Sequence, residues 1–143
     1  ITDVSNMGAA MAPAAMDTLI NHFQDTGFKP SDYDLIITGD LGIIGRSIVM
    51  DMMREKGYDF GNVYTDCGAE IFNPKAQDTH AGGSGCACSA VVFNGYILKE
   101  MKNGRFKKVL FMSTGALHSP IITQQGESIP SIAHAITVDI NNE

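Results

Sequence analysis

The apolar positions of this chain change period several times, and each change marks an element. Met16, Leu19, Ile20 and Phe23 recur at helical spacing and predict a helix near 13–26. Pro13 suits its first turn and Gly27 its end. Residues 1–6 read as the tail of a strand. Leu35-Ile36-Ile37-Thr38 is a short, continuously apolar run, as expected of a strand covered on both faces. Gly39-Asp40-Leu41-Gly42 breaks it, and Asp40 is placed to cap a helix near 41–56. There Ile44, Ile48 and Met52 fall at i, i+4, i+8, with Gly57 as the stop. A second buried strand is expected at 62–65. Ala90, Val91, Phe93, Tyr96, Ile97, Leu98 and Met101 predict a third helix near 85–103, closed by Lys99, Lys102 and Gly104. Val109-Leu110-Phe111-Met112 is a third apolar strand. In the last segment Ile132, His134, Ile136, Val138 and Ile140 alternate with Ala133, Ala135, Thr137 and Asp139, the period of a strand.

Strands alternating with helices predict an α/β fold. The expected architecture is a mixed, mostly parallel sheet of four or five strands with helices on its faces, the last strand free to run antiparallel. The stretches 66–84 and 114–130 are left as long loops, a length that points to function or to partner contact.

Ahead of the third helix stands Gly82-Gly83-Ser84-Gly85-Cys86-Ala87-Cys88-Ser89-Ala90. Three glycines in four residues exclude a helix interior and mark a tight loop where backbone approaches backbone. Two readings stand. The small residues let two helices touch, or the loop aims backbone N–H groups and a positive helix end at an anion.

Composition narrows the choice. The 143 residues are 44% apolar and 18% charged, which fits one globular domain over 1–143. A net charge of −6 without a basic cluster argues against nucleic acid as a partner. Cys67, Cys86 and Cys88 fit no disulfide framework and read as reduced thiols in an intracellular compartment. Residues 79–98 lack Asp, Glu, Lys and Arg but hold four glycines, too polar for a membrane span. No signal peptide is visible, and a start at Ile1 hints at a fragment of a longer protein.

The candidate chemistry is thin. Cys86 and Cys88 sit where a helix N-terminus lowers a thiol pKa, but no His or Asp stands at a spacing that predicts a base. Small buried cysteines are more often packing. Cys67, His80, Cys86 and Cys88 have poor spacing for structural zinc. His134, in the apolar row, is expected to be a core histidine. His22 and His118 have no visible partner, and the eight methionines read mostly as core filler.

Asp78-Thr79-His80-Ala81 with the Gly-rich run behind it resembles the stage V sporulation protein AD family of spore-forming bacteria. So do Asn6-Met7-Gly8-Ala9-Ala10-Met11-Ala12-Pro13 and Gln124-Gln125-Gly126-Glu127-Ser128-Ile129-Pro130. The likeness runs along nearly the whole chain. That family is thiolase-like, with two similar halves packed about a pseudo-twofold axis, and the chain resembles the C-terminal half. In the superfamily's condensing enzymes the nucleophilic Cys lies in the N-terminal half. The C-terminal half supplies a His after a short strand and an Asn in a Gly-containing loop. Those positions fall on or next to Gly39 and Gly83, which cannot take a proton or hold an oxyanion.

The resemblance therefore implies a protein that is not an enzyme. It implies binding of dipicolinic acid, alone or as its calcium chelate, for uptake into the developing spore. Gly39, Asp40, Gly83 and Ser84 are expected to line one wall of the ligand cavity. No cofactor and no catalytic metal are implied. The alternative is a residual acyltransferase or thioesterase using Cys86 or Cys88. Implied partners are the N-terminal half and other proteins of the same spore membrane complex, with a location in the forespore or spore, peripheral to the inner membrane. Without its partner, the 85–103 helix would expose Ala90, Val91, Phe93, Ile97 and Met101, which predicts a homodimer or a retained N-terminal half.

Overall fold

The computed structural model describes residues 1–3 and 5–140. Leu35–Thr38 (β1) is buried at all four positions, as its unbroken apolar run predicts. It lies between Tyr64–Asp66 (β2) and Lys108–Ala116 (β3), and Ser131–Asp139 (β4) closes the sheet in the order β2-β1-β3-β4. β1 is parallel to β2 and β3, with Ile36 opposite Tyr64 and Leu110; β4 is antiparallel to β3. The fold is α/β with a mixed, mostly parallel sheet of four strands.

Two helices, Met7–Thr26 (α1) and Gly42–Glu55 (α2), cover one face. Met11, Ala15, Leu19 and Phe23 pack there with Val49 and Met53 against Ile36, Leu110 and Met112. A short helix, Cys67–Glu70 (α3), follows β2 directly. The other face is covered by a helical run over 88–102, made of Cys88–Val92 (α4), a π turn at Phe93–Ile97 and Leu98–Lys102 (α5). Cys88, Val92, Ile97 and Met101 meet Leu35, Ile37 and Val109 on this side. The wider π turn brings Val92 and Ile97, five residues apart, both inward.

Several expectations are corrected. The strand tail expected at 1–6 does not form among the described residues: Ile1–Asp3, Ser5 and Asn6 lie outside any strand. α1 begins at Met7, six residues before Pro13, because Asn6 Oδ1 accepts the Ala9 amide at 3.0 Å and an alanine-rich stretch carries the helix through the proline. The buried stripe of α2 is Gly45, Val49 and Met53, while Ile44 is half exposed. Two glycines explain the shift. A Cβ on Gly45 would lie 2.7 Å from the Gly8 Cα, and one on Gly8 would lie 2.2 Å from the Leu41 carbonyl oxygen, so α1 and α2 touch backbone to backbone. The stretch 66–84 contains α3, and 114–130 contains the end of β3 and the helix Pro120–Gln124 (α6), capped by Ser119.

β4 inverts the expected burial. Ala133 is buried against α1, whose Thr18 hydroxyl donates to the Ala133 carbonyl at 3.0 Å. The row of large residues faces away: Ile132 is 55% and Ile136 58% exposed, and His134 is exposed with them rather than in the core. The 88–102 helix lies over β1 and β3, and of this row only Val138 packs against the cluster beneath it. Within that helix Ile97 and Met101 are buried and Phe93 is half-buried, its ring 4.6 Å from Phe111; Ala90 and Val91 are exposed as expected.

Two outcomes follow from this packing. Gly45→Ala adds helix propensity worth about 1 kcal/mol. The backbone contact with Gly8 outweighs it, and the variant should lose about 1–3 kcal/mol in denaturant titration. An unchanged or higher midpoint contradicts the crossing. At the opposite end of the strands, Asp34 accepts the Lys107 and Lys108 amides at 2.7 and 3.0 Å. The Lys108 amide first, then that of Lys107, hold its carboxyl below the usual range. This stabilisation is present above the unfolded aspartate value of about 3.9 and is lost as pH falls through the lower folded value. Asp34→Asn should therefore cost about 0.5 kcal/mol at neutral pH, small because the group is exposed, with the difference shrinking towards pH 3.

Candidate functional site

The strands β1 and β2 end side by side, and the turns that follow them face the Gly-rich loop. What holds this corner is Asp66, a buried carboxylate at the end of β2. Its Oδ1 accepts the amides of Gly42 (2.8 Å), Gly68 (2.8 Å) and Ala69 (3.2 Å), and its Oδ2 accepts the Thr38 hydroxyl (2.7 Å) and the Leu41 amide (3.0 Å). Thr38 has one proton and gives it to Asp66, so the Tyr64 hydroxyl, 3.0 Å away, donates to the Thr38 oxygen. Burial pushes the Asp66 carboxyl up from its ordinary value; the bonds from Thr38 and the Gly42, Leu41 and Gly68 amides pull it back. Burial likewise pushes the Tyr64 hydroxyl up and keeps it neutral. Asp66 caps α3 and accepts the first amide of α2, the role expected of Asp40. The sequence carried one sign of it, an Asp followed at short distance by small residues, Gly68 and Ala69, which is an N-cap pattern.

From this anchor the Gly-rich loop is fastened in three places. The Ile43 amide donates to the Ala81 carbonyl, and the Gly83 amide to the Gly68 carbonyl, both at 2.7 Å. The third fastening is Asp40, whose Oδ2 accepts the Ser84 hydroxyl and the Gly85 amide, each at 2.9 Å. Its Oδ1 accepts the Thr114 hydroxyl at 2.9 Å, while the Asp40 amide donates to the same Thr114 oxygen at 3.1 Å. Glycine is required where these segments meet. Gly42 has φ +70° and a Cβ there would sit 2.5 Å from the Ala81 oxygen; Gly82 has φ +107° and a Cβ would sit 2.2 Å from the Gly68 oxygen.

Two clefts open on either side of the Asp40–Ser84 contact. One, of about 410 Å³, is lined by Asn6, Gly42, Gly82 and Gly83 as well as Asp40 and Ser84. The other, of about 440 Å³, is lined by Met11, Cys86, Ser89 and Thr114 together with the same pair. Of the expected wall residues, Asp40 and Ser84 border both clefts and Gly83 the first. Gly39 stands behind them, buried at the end of β1, where a Cβ would lie 2.6 Å from the Thr114 hydroxyl oxygen. Among the described residues the linings include the carboxylates Asp3 and Asp40 and no Lys, Arg or His. The anion expected before the third helix is thus present in the chain itself: Asp40 takes the Gly85 amide.

The other candidates are dispersed. Cys67 and Cys88 are buried and Cys86 is exposed. Burial pushes the Cys88 thiol up to about 11 and raises Cys67 as well. His80 is exposed, 3.6 Å from the Asp78 carboxylate. Among the described residues no three His, Cys, Asp or Glu side chains converge on a metal position, and no helix is long and apolar enough to cross a membrane. Contrary to expectation, His22 and His118 both have partners: His22 Nε2 is 2.6 Å from the Tyr33 hydroxyl, and His118 Nε2 meets the Met7 sulfur at the start of α1.

Comparison with known proteins gives the family of the chain. The family model for Stage V sporulation protein AD (SpoVAD) matches residues 1–139. Stage V sporulation protein AD of Bacillus subtilis (strain 168) is 50% identical over 139 residues, which are 97% of this chain and 41% of that protein. The chain thus spans less than half the length of this relative, and it belongs to the stage V sporulation protein AD family.

Proposed function

We propose that this chain is a non-catalytic, thiolase-like part of a sporulation protein that binds dipicolinic acid as its calcium chelate, for uptake into the developing spore. The observation that carries the choice of chelate is the charge at the cleft. Dipicolinate is a flat dianion, and the described lining meets it with carboxylates and no cationic side chain. Asp40 already occupies the anion position at the Gly85 amide. A chelate whose calcium offsets the dianion fits this field, and Asp40 and the Ser84 hydroxyl offer it oxygen ligands.

Gly39 and Gly83 support the absence of catalysis. Neither carries a side chain, and a Cβ at Gly83 would lie 2.5 Å from Ile71 Cγ2, so an oxyanion-holding group there would collide with the wall. The raised thiol of Cys88 weighs against it as the nucleophile of a residual acyltransferase or thioesterase, because the thiolate is the nucleophile, and leaves the exposed Cys86 as the candidate for that alternative. The uncovered Ile132 and Ile136 of β4 support a partner on that face, either the remainder of a two-half protein or a second copy.

Calorimetry on the intact two-half protein tests the ligand. Calcium dipicolinate should bind more tightly than dipicolinate with chelator present, and Asp40→Asn should weaken it about tenfold, the loss of one charge-assisted contact. Equal affinity with and without calcium, or an unaffected Asp40→Asn, overturns the assignment. Alkylation at neutral pH tests the chemistry: Cys86 should label in the folded protein while Cys67 and Cys88 stay protected. Acyl-CoA turnover that vanishes in Cys88→Ala or Cys86→Ala would show an enzyme instead.

A further inference from the structure

We propose that Asp66 is a positioning residue of the cleft, acting through the backbone it gathers and never touching the ligand. This deepens the binding site just described and rests on that reading for its ligand. The Asp66 carboxylate is fully buried and is met by four backbone amides and one hydroxyl. Two of those amides, Leu41 and Gly42, belong to the turn after β1 where α2 starts; the other two, Gly68 and Ala69, belong to the first turn of α3 after β2. One carboxylate therefore sets the distance between the two turns.

Each turn then holds the Gly-rich loop. Gly42 lies against Ala81, whose carbonyl takes the Ile43 amide, and Gly68 takes the Gly83 amide on its own carbonyl. The wall formed by Gly42, Gly82 and Gly83 is thus placed by Asp66 at one remove. Asp40 fixes only the far end of the loop, at Ser84 and Gly85. The glycines leave no side chains to hold the segments apart or together, so the wall keeps its shape only while both oxygens of Asp66 accept. An amide at this position offers one oxygen and turns an NH₂ towards other donors.

The test compares Asp66→Asn with Asp34→Ala, a variant at the opposite end of β1 that borders neither cleft. Hydrogen exchange is measured on the ligand-free intact protein. In Asp66→Asn the amides of Leu41, Gly42, Gly68, Ala69 and Gly83 should exchange at least tenfold faster relative to Ile36 and Ile37, whereas Asp34→Ala leaves that ratio unchanged. Calcium dipicolinate affinity, by calorimetry, should fall at least tenfold in Asp66→Asn and stay within twofold in Asp34→Ala. Unchanged amide ratios, or a loss of binding equal in both variants, overturns the role. If the wild-type protein binds no dipicolinate, the ligand reading fails while the exchange ratios still decide the role of Asp66. If Asp66→Asn does not fold, the wild type decides: amides of Gly42 and Gly68 as protected as those of β1 support the role, and loop-like exchange there refutes it.

Discussion

A carboxylate taken out of water carries a penalty of several kcal/mol unless its oxygens are met by donors. Asp66 is the place where this chain accepts that penalty, and much of the functional end of the molecule is arranged to offset it. β2 is three residues long and ends on Asp66 itself. The first amide of α2, at Gly42, and the second and third of α3, at Gly68 and Ala69, would otherwise lack partners at the helix starts and have their acceptor there. Five donors and no acceptor surround the group, so the ionised form matches its surroundings even though burial raises its pKa. The Tyr64 and Thr38 hydroxyls then have a single consistent proton arrangement, fixed by the charge they serve.

Asp40 works under the opposite constraint. It is only half-buried and joins three separate segments through short bonds to Ser84, Gly85 and Thr114. In this setting its bonds are worth less each, and water competes for them. The two carboxylates therefore divide the labour. Asp66 fixes the backs of the turns in the dry interior, and Asp40 closes the loop at the wet margin where the clefts meet.

What was legible in the sequence was whatever declares itself through apolar period or backbone punctuation. The continuous run of β1 marked the central strand, and Gly27 and Gly104 marked helix ends with their left-handed conformations. The α2 stripe was misread because its inner face includes Gly45, which an apolar count passes over while choosing Ile44. In β4 the alternation was real but did not say which row faces in: the small Ala133 fits beneath α1, and the isoleucines turn out. Asp40 and Ser84 were visible as a post-strand turn and a Gly-rich loop, the usual places for a site. Asp66 left only the N-cap sign, because a buried polar hub has no period, and its partners are mostly backbone amides that nearly every residue possesses.

The outward row of β4 bears on what could cover this edge of the sheet. Ile132 and Ile136 are each a little over half exposed. Full burial of such a side chain contributes about 1.5–3 kcal/mol, so covering the exposed portions of both contributes roughly 2 kcal/mol. A separate partner gives up about 4–15 kcal/mol of translational and rotational freedom on association. These two side chains alone therefore do not hold a second copy, which would need a broader surface of contact. A cover belonging to the same polypeptide loses far less freedom, since its attachment already keeps it near. The relative from Bacillus subtilis has more than half its length outside the matched region. The two isoleucines mark an uncovered edge of the sheet and do not by themselves supply the surface that a stable complex needs.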